Sequence, residues 1–140
     1  MKNKRQIIIV ATILIIVLTL LLCACNDNLN SSSNKKVNPL EDAYDILYSQ
    51  YGWSSCYRLG SDKSYLQVDT NPYDIDEYYD STYIEILNST LTALKLPDYI
   101  YQRMLKTTAM QGRQDVTVNG INVSWTYHPD KGLEVMFTIA

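Results

Sequence analysis

The chain has 140 residues, a formal net charge of −3, 46% hydrophobic residues and twelve tyrosines. Five glycines, four prolines and three cysteines rule out a collagen-like chain, a low-complexity chain and a disulfide-stapled scaffold. The charge is uneven: residues 39–140 carry 7 basic and 14 acidic side chains, near −7, a balance that argues against nucleic acid as a partner.

The first segment reads as an export signal. Met1 to Gln6 holds Lys2, Lys4 and Arg5, and Ile7 to Leu22 is apolar except for Thr12 and Thr19. The run ends in Leu22-Cys23-Ala24-Cys25, followed by Asn and Ser. An apolar residue three positions before a cysteine and a small one directly before it make Cys25 resemble the lipid-bearing cysteine of bacterial lipoproteins. Cys23 fails this pattern because bulky Leu22 precedes it. Residues 1–24 are then a signal peptide, and the anchor at Cys25 holds the chain on the extracytoplasmic face of a cell membrane. The alternative is an uncleaved span, since Ile7 to Ala24 supplies eighteen mostly apolar residues against the roughly twenty a helix needs to cross. Cysteine placement and the polar tract favour lipidation, and both readings put the C-terminal part outside.

Residues 25–38 form a tether. Asn26 to Asn38 has one Leu and one Val, cannot bury a core, and spans roughly 20 Å as a random coil. Residues 39–140 are enough for a single domain with one core. Cys56 is its one cysteine, which excludes an internal disulfide and reads as a small buried hydrophobe.

Within that domain, Leu40, Ala43/Tyr44 and Leu47/Tyr48 share one stripe of a first helix, Leu40 to Gln50. Ser55 to Pro72 reads as a hairpin: Tyr57 and Leu59 alternate with polar residues, Gly60 to Lys63 turn, and Tyr65 to Asp69 return. Asp74, with Glu77 three residues on, predicts the cap of a long helix through Ile75, Tyr79, Ile86/Leu87, Leu91 and Leu94 to about Lys95. Pro97-Asp98 opens another helix with Ile100, Met104 and Thr107/Thr108 inward and Gly112 as its stop. A three-stranded meander follows. Val116 to Val118 joins Ile121 to His128 through Asn119-Gly120, both of which accept positive φ. Ile121, Val123, Trp125 and Tyr127 share one face, and Leu133, Val135, Phe137 and Ile139 repeat the pattern. The expected class is α+β, with helices on one face of an antiparallel sheet.

Chemistry is sparse. His128, the single histidine, stands near Asp130 and Glu134, which raises an extracytoplasmic hydrolase as an alternative function. Turn formation accounts for Pro129, Asp130 and Gly132 without a ligand, and one histidine with one distant cysteine is not a zinc pattern. No nucleophile elbow, Ser-x-x-Lys or glycine-rich phosphate loop is present, so no catalytic residue, metal or cofactor is assigned. The acids Asp74, Asp76, Glu77 and Asp80 suit a helix start. The tyrosines offer rigid amphipathic area suited to binding. Tyr78, Tyr79, Tyr83, Arg113, Gln114 and His128 are the candidate surface for a protein or cell-envelope ligand.

The positions Leu96-Pro97, Met104, Gly112-Arg113-Gln114 and Trp125 through Val135 carry a resemblance. Over about the last forty-five residues the chain is similar to a C-terminal domain of secreted proteins and lipoproteins of Gram-positive gut bacteria. That resemblance implies the extracytoplasmic address and the domain boundary and brings no activity. The order of elements also resembles small lipoprotein and inhibitor domains that bind other proteins, an analogy of fold alone.

Overall fold

A computed structural model of the chain describes residues 37–75 and 80–140. Cys25, the signal segment and most of the tether lie outside the described residues, as do Asp76, Glu77, Tyr78 and Tyr79.

The elements run α1 (Pro39–Tyr51), β1 (Tyr57–Leu59), β2 (Tyr65–Asp69), α2 (Ser81–Ala93), α3 (Asp98–Leu105), a 3-10 turn (Ala109–Gln111), β3 (Gln114–Val118), β4 (Ile121–His128) and β5 (Gly132–Ile139). The class is α+β. The hairpin and the meander are not separate: antiparallel pairing of β2 with β5 merges them into one five-stranded sheet, ordered β1-β2-β5-β4-β3.

Register explains the two faces. One row across the sheet is Leu59–Leu66–Phe137–Val123–Val116, and the next is Tyr57–Val68–Val135–Trp125–Gln114. These apolar rows meet the buried stripes of the helices: Leu40, Ala43 and Leu47 of α1, Ile86, Leu87 and Leu91 of α2, and Ile100 and Met104 of α3. The opposite rows, such as Arg58–Gln67–Met136–Ser124–Asp115, are mostly polar. Alternation with period two therefore carries the sheet, and one covered face follows from it.

Trp125 sits in the core, 1% exposed. Its indole N–H donates to Thr107 Oγ1 at 2.8 Å, and the Arg103 guanidinium lies 5.2 Å from the ring centroid. A buried indole N–H needs an acceptor, and Thr107 supplies it.

Two helix boundaries differ from the sequence expectation. Asp74 does not cap a helix: α2 starts at Ser81, and Asp80 Oδ1 accepts from Thr82 N at 2.8 Å. Asn71 is the reason. Its side chain accepts from Ile75 N and donates to Ile75 O and to Asp130 O, holding the chain in a turn with Asp74 at φ +50°. Side-chain bonds of this kind compete with helical ones. Ile75 is consequently 49% exposed and off the helical stripe. Likewise Gly112 does not stop α3. That helix ends at Leu105, Thr107 Oγ1 donates to Arg103 O, and Gly112 closes the 3-10 turn that Thr108 and Gln111 cap. Thr107 is buried as expected, but in a loop. Thr108 is exposed.

Asn38, read from the sequence as tether, caps α1 with Pro39 in its first turn. Asn119 and Gly120 both have positive φ, +53° and +76°, as their turn requires. Lys95 (φ +54°) ends α2 in a Schellman pattern, Leu96 N donating to Leu91 O and Lys95 N to Thr92 O. Asn119 Nδ2 then donates to the Lys95 carbonyl, tying the β3–β4 turn to that helix end.

Trp125→Ala removes the largest fully buried side chain and the indole N–H that Thr107 Oγ1 accepts, so a loss of about 3–5 kcal/mol is expected. His128→Ala, at an exposed turn, should stay within about 0.5 kcal/mol of the parent. Urea melts of both variants check this; a parent-like melt for Trp125→Ala would invert the assignment of the two faces.

Candidate functional site

His128 pairs with Gly132 across the end of β4 and β5. Its Nδ1 accepts from Asp130 N at 3.2 Å and lies 3.7 Å from Asp130 Oδ2, with both side chains more than half exposed. Lys131 N donates to His128 O at 3.2 Å, and Gly132 has φ +73°. A Cβ on Gly132 would also stand 2.5 Å from Thr70 Oγ1, so glycine is required there twice over. Glu134 Oε1 accepts from Gln67 Nε2 at 3.0 Å. This is the geometry of a turn. Among the described residues no side-chain hydrogen bond or ion pair joins His128 to Glu134 or to a nucleophile, and no group of three or more acids, histidines or cysteines is fit for a metal.

The remaining candidates scatter. Arg113 Nη2 donates to Ser124 Oγ at 2.7 Å on the open sheet face, while Gln114 Nε2 donates to Gln111 O. Tyr83 packs against the core from α2. Tyr78 and Tyr79 lie outside the described residues. The structure does not bring these described side chains to one surface.

A hollow of about 600 Å³ lies between the C-terminal end of α3, the start of α2 and the β4–β5 turn. Met104, Tyr127 and Leu133 give it apolar wall. Three of its polar residues already have partners inside the domain: Thr70 Oγ1 bonds both N and O of Leu133, Asn71 holds Ile75 and Asp130, and Thr107 holds Trp125 and Arg103. They brace the fold instead of converging on a ligand.

A smaller cleft of about 230 Å³ differs in kind. Gly52, at φ +71°, ends α1 with its N–H on Tyr48 O and sends Trp53-Ser54-Ser55 away from the helix axis. Tyr44 and Tyr48, one helical turn apart, stack at 6.2 Å between centroids, and Tyr44 meets Tyr57 of β1 edge-on at 5.7 Å. Tyr57 donates its hydroxyl to Gly52 O, and burial pushes that hydroxyl's pKa up, with Tyr44 and Tyr48 adding to it. Trp53 is 80% exposed and lines the cleft with Tyr44, Tyr57 and Arg58. Tyr48 belongs to the predicted buried stripe, yet it is half exposed beside this cleft because β1 covers only the Tyr44 side. The one local signal for the site is "YGWSS", a tryptophan in a Gly–Ser loop where no periodic pattern demands a core residue.

Two further groups bear on chemistry. Burial pushes the Cys56 thiol up to about 12, with Asp69 and Asp80 adding to the effect against one backbone bond that opposes it. A thiol so placed is inert at neutral pH. The Asp69 carboxyl is also raised, by burial first and then by Glu134 and Asp74, against the Asn71 N–H bond and Lys131.

No family model, curated protein or solved structure matches the chain.

Iodoacetamide at pH 8 should leave Cys56 unmodified in the native protein and alkylate it in urea; peptide mass mapping separates it from Cys23 and Cys25. Native labelling as fast as in urea would overturn the buried placement. For Asp69 the folded state holds its proton more tightly than the unfolded chain, so this group costs stability as pH rises from about 4 through the folded value. Asp69→Asn keeps an acceptor for Asn71 N and removes the charge. It should melt at higher urea than the parent at pH 7, with the gap closing toward pH 4.

Proposed function

We propose that this chain is a membrane-anchored extracytoplasmic lipoprotein whose domain is a non-enzymatic binding module for a protein or envelope component. The observation that carries the binding reading is the aromatic cleft. Tryptophan is among the most buried residues on average, and one standing 80% exposed beside a cleft with two tyrosines is unusual for a surface that meets only water. Trp, Tyr and Arg are the residues that dominate binding hot spots, and Trp53, Tyr44, Tyr57 and Arg58 supply all three.

The address rests on the leader. Leu22-Ala24-Cys25 fits a lipidation site, and the Asn/Ser tract after it suits a spacer between bilayer and domain. Lipid at Cys25 gives membrane contact, with no nucleic acid involved.

Cys25→Ser should abolish incorporation of a fatty-acid analogue and leave an uncleaved precursor, while Cys23→Ser labels normally. Label persisting in Cys25→Ser would refute the anchor. Capture from cell envelopes with the full-length protein should recover a saturable partner that Trp53→Ala loses. Capture unaffected by Trp53→Ala would remove the cleft from this reading.

A further inference from the structure

One carboxamide holds the β3–β4 turn to the end of α2, and the residue after it makes that carboxamide labile. Asn119 and Gly120 are both exposed, a Cβ built on Gly120 would meet nothing within 4 Å, and among the described residues no acceptor takes the Gly120 N–H. That nitrogen is sterically open toward the Asn119 Cγ, with no side chain of its own in the way. The neighbours of the other described asparagines disfavour the same attack. Asn38 and Asn71 precede prolines, which have no N–H to attack with. Asn88 is inside α2, where the Ser89 N–H belongs to the helical ladder, and Asn122 precedes β-branched Val123 in mid-strand.

We propose that Asn119 is a deamidation site gated by its own hydrogen bond to the end of α2. In the reaction the Gly120 nitrogen bonds to Asn119 Cγ, the Cγ–Nδ2 bond breaks, and ammonia leaves with the Gly120 proton. Water then opens the cyclic imide at either carbonyl, giving aspartate or isoaspartate and a proton; no oxidant or reductant is needed. The folded turn restrains ring closure. Positive φ at both central residues, with Val118 opposite Ile121, makes this a two-residue type I′ turn, and Asn119 Nδ2 is held on the Lys95 carbonyl at 3.0 Å. Closure must rotate the turn's backbone and pull Nδ2 from that carbonyl, so the reaction runs through an opened turn. Its product cannot restore the tie. A carboxylate oxygen in place of Nδ2 faces the Lys95 oxygen with no proton between them. Isoaspartate also adds a backbone carbon to a turn closed at Val118–Ile121 and by Ala140 N on Gly120 O. Deamidation thus converts a brace of the fold into a repulsion, once and irreversibly.

The test holds full-length protein in detergent micelles at mildly alkaline pH, with and without urea. Mass spectrometry follows the peptide carrying Asn119, and fragmentation separates aspartate from isoaspartate. In urea this peptide should convert while those of Asn88 and Asn122 lag. A turn open for at most about 10% of the time slows native conversion at least about tenfold relative to urea. Three variants isolate the gate. Lys95→Val puts a β-branched residue at φ +54° and displaces the carbonyl, so native conversion should rise toward the urea rate. Lys95→Gly accepts that φ and should keep conversion slow. Lys63→Val sets similar strain at φ +60° in the β1–β2 turn, at the opposite edge of the sheet, and should leave the rate alone. Asn119→Asp, the product made directly, should shift the folding equilibrium in urea melts about fivefold toward the unfolded chain. No conversion of Asn119 in urea overturns the site. Native conversion as fast as in urea, or equal acceleration by Lys63→Val and Lys95→Val, overturns the gate. Asn119→Asp melting like the parent overturns the loss of the tie.

Discussion

The pairing of β5 with both β2 and β4 is the constraint on which this domain depends. β5 is last in the chain, yet it occupies the centre of the sheet, and its Val135 and Phe137 are fully buried. Without it the β1–β2 hairpin and the β3–β4 hairpin are two marginal ribbons, each too small to hold a core. With it, Leu66, Phe137 and Val123 line up in one row and Val68, Val135 and Trp125 in the next, a continuous apolar floor for the helices. Such non-local closure is slow to form, since loops must be ordered before the contacts that reward them.

Polar side chains at the chain reversals secure that arrangement. Asn38 bridges the start of α1 to the β1–β2 turn through Lys63 O, Asn71 bridges the end of β2 to the β4–β5 turn, and Asn119 bridges the β3–β4 turn to the end of α2. Thr107 does the same for the loop after α3 by accepting from Trp125. Each satisfies a backbone or indole group that would otherwise be unpaired, and among the described residues no buried side-chain polar atom lacks a partner. The same economy explains why the 600 Å³ hollow looks functional and is not built like a site. Thr70, Asn71 and Thr107 in its lining are the braces.

The aromatic cleft has the opposite character. It forms because Gly52 breaks α1 just where Tyr48 has turned outward, and because three-residue β1 is too short to cover the helix flank. Tyr57 is clamped to Gly52 and fixes the floor, so the rings of Tyr44 and Tyr48 are held in a defined arrangement before any ligand arrives. A surface ordered in advance binds with less entropic loss than one that must be assembled.

What the sequence determined by itself was most of what depends on near neighbours. Period two placed Ile121, Val123 and Trp125 on one face, Asn119-Gly120 demanded a tight turn, and Pro129 to Gly132 marked a second one, because these rules act within a few residues. The tertiary structure alone decided three things. It joined hairpin to meander, since alternation is the same whichever strand lies alongside. It moved the start of α2 from Asp74 to Ser81, because the Asn71 side chain that holds Ile75 also answers to Asp130, fifty-nine residues away. And it left Trp53 and Tyr48 in water beside Tyr57, because exposure of an aromatic ring depends on what the rest of the chain brings to cover it, and here β1 ends too soon.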